Sequence, residues 1–254
     1  MALTNVSWDD SAFRIAAAMA LCWAAQIVFT SLFIRAGYPK STKKAFLLKM
    51  CASSLFVLNG ALAYRLADAP GAYGKWVLAG LVCGWIGDIF LTIHPFLPPD
   101  AGQKTMFIVM VPGGIAFLLG HAAYVVALTR LSGVSAFSLP LFFGVWAVLM
   151  AVIAALYRLL RLDAGRFLVP ITIYALALTA MASFACTIAL RGYSNPAARA
   201  VLIAAPLLFI TSDCTLAARS FCKDRFRSIG VRILYLGTYF AAQMLFGLSV
   251  LMVR

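Results

Sequence analysis

Hydrophobic positions along this chain come in long unbroken runs rather than in stripes. Eight apolar segments stand out, at about 12–34, 45–66, 76–94, 107–129, 137–158, 167–190, 198–219 and 230–252. Each is close to the roughly 20 residues that a helix needs to cross a bilayer. Between them lie short polar or breaker-rich stretches such as Gly37-Tyr38-Pro39-Lys40, Asp68-Ala69-Pro70-Gly71 and Leu162-Asp163-Ala164-Gly165. The longest loop, His94 to Thr105, carries Pro95, Pro98 and Pro99. Strand-type alternation is absent, so the expected fold is an all-α membrane protein, a polytopic bundle of eight transmembrane helices. No linker is long enough to divide it, so residues 1–254 are expected to form a single integral membrane domain.

Composition agrees. Apolar residues make up 64% of 254 and charged residues 11%, with a mean hydropathy of +0.97. A soluble domain carries about 25% charged residues. The net charge of +13 would fit a nucleic-acid binder, but the basic residues sit in short loops, where they set topology instead. The lipid bilayer, and not nucleic acid, is the expected partner. The loops after spans one, three, five and seven, with their flanks, hold 14 Lys and Arg, against 7 on the other side. By the positive-inside rule both termini are expected to be non-cytoplasmic. The stretch Ser7-Trp8-Asp9-Asp10 lacks the basic lead of a signal peptide, so the first span is expected to stay in the membrane. Six scattered cysteines without a C-x-x-C give neither a disulfide framework nor a zinc ribbon.

Two carboxylates break the apolar runs: Asp88, in Gly84-Trp85-Ile86-Gly87-Asp88-Ile89-Phe90-Leu91, and Asp213, in Leu207-Leu208-Phe209-Ile210-Thr211-Ser212-Asp213-Cys214. A carboxylate at membrane depth is costly and marks a functional site by default. The plainer alternative is a structural carboxylate bonded across a helix interface. Asp88 lies about 12 residues into its span and Asp213 about 15, a difference of about 5 Å in depth on spans of the same direction. Two such groups at one depth would share a site and tend to hold one proton between them. Both motifs read D-x-x-L four spans apart, which a 4 + 4 duplication would also produce.

Other polar residues fall within the spans. His121 and Tyr124, three apart, share a helix face. Tyr239 and Gln243 are an i, i+4 pair, and Tyr174 and Asn59 stand alone, with packing as their plainer reading. Lys49, near the expected cytoplasmic end of span two, is placed either to snorkel to the interface or to bind a lipid phosphate. With only His94 and His121, a three-histidine zinc site cannot be built, so no metal site is expected. No H-E-x-x-H, G-x-S-x-G or P-loop occurs.

Taken in order, four blocks resemble the YhhN family, which includes lysoplasmalogenases: Gly87–Leu91, Gly114–Tyr124, Leu208–Asp213 and Thr238–Gln243. Where that family usually has Lys-Pro, this chain has Lys49-Met50, and its Pro-rich loop is longer. The resemblance implies hydrolysis of the vinyl ether of a lysophospholipid, giving a fatty aldehyde and a glycerophospho-choline or -ethanolamine. It maps the family's two proposed catalytic aspartates onto Asp88 and Asp213. His121, Tyr124, Tyr174, Tyr239 and Gln243 would position water or substrate, and Lys49 would hold the phosphate. No cofactor is needed. The membrane would be the inner membrane of a bacterium or the endoplasmic reticulum of a eukaryote. A proton-coupled transporter and a lipid-binding scaffold are the rival expectations.

Overall fold

The structure, a computed structural model, describes residues 10–38, 42–67, 71–93, 96, 102–222 and 226–253. Outside these lie the acidic stretch Ser7–Asp9, His94 and most of the Pro-rich loop, and Lys40, Lys223, Arg225 and Arg254 from the topology argument.

Eight long helices are present among the described residues: α1 (Asp10–Ala36), α2 (Lys43–Leu66), α3 (Gly71–Thr92), α4 (Gly102–Leu128), α5 (Leu139–Leu160), α6 (Leu168–Gly192), α7 (Pro196–Phe221) and α8 (Ile229–Met252). All eight are long and apolar enough to span a membrane. Helices α3 and α4 start about a turn before the predicted apolar segments, and α2, α7 and α8 start within two residues of theirs, where polar flanking residues cap them. Thr42 accepts from Ala45 N at 3.0 Å, Ser228 from Val231 N at 3.3 Å, and Asn195 from Ala197 N at 2.9 Å ahead of Pro196. Gly71 opens α3 at φ +55°, a left-handed conformation that favours glycine.

Helix α8 is the organising element. It packs against α1, α2, α3 and α7, while α6 contacts α4, α5 and α7. Helix α5 contributes no buried residue and lies at the rim. The tightest fit is α3 on α4, and its cause is a row of glycines. A Cβ at Gly80 would collide with the Tyr124 ring, and one at Gly87 would come within 2.7 Å of Phe117. From the other side, Gly120 lies against the carbonyl of Gly80. Small residues that let backbones approach are the usual basis of helix packing in lipid, where apolar burial drives nothing. Here they seat Tyr124 and Phe117 flush against α3, with Phe117 at Gly87, the residue before Asp88. A second close crossing sets Gly247 of α8 against Gly60 of α2, and Asn59 Nδ2 closes it by donating to the Met244 carbonyl at 3.1 Å.

Candidate active site

Asp88 lies seventeen residues past Gly71, and Asp213 seventeen past Pro196, so the two occupy the same register in α3 and α7. Their surroundings differ. Asp88 is only 1% exposed and is held from two neighbouring helices. From α2, the Lys49 ammonium sits 2.8 Å from its Oδ1, and Ser53, one turn further along the same face, donates to Oδ2 at 2.5 Å. From α8, Tyr239 donates to the same Oδ2 at 2.9 Å. The network runs on: Gln243 Nε2 donates to the Tyr239 hydroxyl at 3.3 Å, and Tyr124 of α4 donates to Gln243 Oε1 at 2.7 Å. An ionised carboxylate in an apolar bundle persists only when paired and hydrogen-bonded. Asp88 has both.

Asp213 is partly buried and has one donor among the described residues, the Tyr174 hydroxyl of α6, at 2.6 Å from Oδ2. No cation pairs with it among the described residues. His121 Nε2 lies 3.0 Å from the Tyr174 oxygen. Because that hydroxyl donates to Asp213, its lone pair accepts from the imidazole, which puts the ring proton on Nε2. His121 Nδ1 is then a buried acceptor without a protein partner.

The two carboxylates do not bond to each other or share a partner. They are linked through aromatic rings. Phe209, one turn before Asp213, packs edge-on against His121 with centroids 4.9 Å apart and against Tyr239 at 5.6 Å. Phe117 meets Tyr239 at 5.9 Å and Phe209 at 6.2 Å.

The eight residues given catalytic or substrate-binding roles thus fall into two networks on either side of one aromatic cluster, while Asn59 bonds only the Met244 carbonyl. Asp88, Lys49, Tyr239, Gln243 and Tyr124 form the first, and Asp213, Tyr174 and His121 the second. Lys49 departs most from expectation. It neither snorkels nor faces the headgroups. It is 5% exposed, and its ammonium lies against Asp88. Tyr174, whose plainer reading was packing, bonds directly to a carboxylate. Ser53, Phe117 and Phe209 were not singled out. Ser53 carried a usable signal, since it stands one turn from Lys49 on one helix face. No group of three or more His, Cys, Asp or Glu side chains is placed to hold a metal among the described residues.

The family model described as YhhN family matches residues 45–250. The chain belongs to the YhhN family. The matched segment takes in nearly all of α2 to α8 and every member of both networks, and leaves out α1. Neither a curated protein nor a solved structure matches the chain.

Proposed function

We propose that this YhhN-family chain is a lysoplasmalogenase-type ether hydrolase that cleaves the vinyl ether of a choline or ethanolamine lysophospholipid by two-aspartate catalysis. The observation that carries the reading is the unequal setting of the two intramembrane carboxylates. Asp88 has a cation and two hydroxyl donors. Asp213 has one hydroxyl donor, on Oδ2, and no cation among the described residues. YhhN membership is consistent with this activity.

In this reading Asp88 is the fixed anion and Asp213 carries the proton, because no cation offsets a charge there. Asp213 protonates the outer vinyl carbon. An ether-oxygen lone pair then completes an oxocarbenium ion at the adjacent carbon, and the Asp88 charge stabilises it. Water adds to that carbon and returns a proton to Asp213. The hemiacetal hydroxyl gives up its proton as the carbon–oxygen bond to glycerol breaks, and the glycerol oxygen takes a proton up. The products are a fatty aldehyde and a glycerophospho-alcohol. Glycosidases divide an oxocarbenium problem between two carboxyl groups in the same way. His121 Nδ1, the buried acceptor without a partner, suits a water hydrogen. Tyr174 fixes Asp213, and the Tyr239–Gln243–Tyr124 chain lines the other side. In this reading, by the positive-inside rule, the site lies in the cytoplasmic half of the membrane with both termini on the far side, and the membrane is the inner membrane of a bacterium or the endoplasmic reticulum of a eukaryote.

The test is aldehyde release from lysoplasmalogen by detergent-solubilised protein, with a panel of lysolipids followed by mass spectrometry. Turnover without a membrane gradient supports the hydrolase. A proton-coupled carrier is the second reading, favoured by the buried Lys49–Asp88 pair, since paired intramembrane charges also serve proton relays. It predicts no lipid product in detergent.

A further inference from the structure

At the α8 entrance of the bundle lies a cation that neither network uses. Arg232, in the first turn of α8, is 8% exposed and stacks over the Phe33 ring of α1, its guanidinium carbon 4.9 Å from the centroid. One Nη group packs against Gly37, where a Cβ would collide with it. The other reaches the Tyr235 hydroxyl at 3.5 Å, a marginal distance, and Nε is buried with no partner. No carboxylate pairs with Arg232 among the described residues. A second cation, Arg219, reaches Phe226 O with its Nη1 across the turn from α7 to α8. A buried guanidinium with an idle donor and no counter-charge is costly as it stands and is relieved by an anion. Its planar fork matches two oxygens of a phosphate.

The position fits a lipid phosphate. Arg232 sits at a helix end, where headgroups lie, beside the positive end of the α8 dipole. The Lys49 ammonium also lies over the Phe33 ring, 5.9 Å from its centroid, and Lys49 is bonded to Asp88. One ring therefore touches both Arg232 and the Asp88 network. A glycerol phosphodiester places its phosphate three carbons and one oxygen from the ether oxygen, so a single molecule can present both groups around Phe33.

We propose that Arg232 binds the phosphodiester of the lysophospholipid, a role that the family resemblance implied for Lys49. This rests on the hydrolase reading for the identity of the lipid, but its test does not require turnover. The probe is a saturated alkyl lysophospholipid, which has no vinyl ether to cleave. Its binding to detergent-solubilised wild-type protein, Arg232→Gln, Arg232→Lys and Gly37→Ala is followed by ligand-induced thermal shift and titration. Arg232→Gln is expected to weaken binding at least tenfold, with Arg232→Lys between it and wild type. Gly37→Ala, which keeps the charge but displaces the guanidinium, should also weaken binding. The matching alkylglycerol, which has no phosphate, should bind all proteins alike. Unchanged affinity in folded Arg232→Gln or Gly37→Ala overturns the proposal, as does equal loss of the alkylglycerol. Inorganic phosphate is the second probe. An Arg232-dependent shift with phosphate and none with the lysolipid would mark a free-phosphate site and overturn the lipid assignment. Arg232-dependent lysolipid binding without aldehyde release would keep this site and reject the hydrolase.

Discussion

Asp88 and Asp213 stand at the same register of two helices, yet their neighbourhoods are built on opposite plans. Asp88 is closed in by Lys49, Ser53 and Tyr239 from two helices, and a chain of amide and hydroxyl groups extends the hold to α4. Asp213 has no cation among the described residues and leans on Tyr174, itself backed by His121. The contrast teaches that a buried carboxylate is not one kind of object. Fully paired, it is a fixed charge and a joint between helices. Sparsely held, it is a group that can gain and lose a proton without the fold coming apart.

The largest expected effect lies on the closed side. Lys49→Met leaves Asp88 buried without its cation and should cost about 3–5 kcal/mol of stability. Adding Asp88→Asn to it should recover most of that loss, a coupling that thermal melts of the double-mutant cycle would measure. If the double variant melts no higher than Lys49→Met, the pair is not the joint described here. On the open side, Tyr174→Phe removes the one donor to Asp213 among the described residues. Aldehyde release should fall about tenfold while stability drops by only about 1 kcal/mol, the usual net worth of one hydrogen bond. A stability loss as large as that of Lys49→Met would erase the contrast between the two neighbourhoods. A milder loss on the closed side is expected from Ser53→Ala. Lys49 and Tyr239 remain on Asp88, so the cost should be about 1.5 kcal/mol, at the lower end for a bond to a charged group.

Much of this was legible in the chain, for reasons that also mark where reading stops. Spans announce themselves because lipid demands about 20 apolar residues in a row, and Asp88 and Asp213 stand out because charge is so rare within them. The facing of each helix is not written in the same way. In lipid, apolar residues belong on both the buried and the outer surface, so periodicity does not separate the core from the rim. Helix α5, the most apolar span, buries nothing. Tyr174 carried no pattern at all, since a single tyrosine in an apolar run packs or bonds according to what stands opposite. Lys49 was placed by its distance from the helix end, which favours snorkelling. What turned it inward was an acceptor on another helix, with Ser53 on the same face as the one local hint.

The central claim is that the two aspartates are both required and are not equivalent. Asp88→Asn and Asp213→Asn, purified side by side in detergent, test it through melting temperature and aldehyde release from lysoplasmalogen. Each should lose at least about 100-fold in turnover, the scale of general acid–base catalysis. Only Asp88→Asn, which strips the counter-charge from buried Lys49, should also melt at a clearly lower temperature. Near-normal turnover in either variant, or an equal loss of stability in both, would contradict the account.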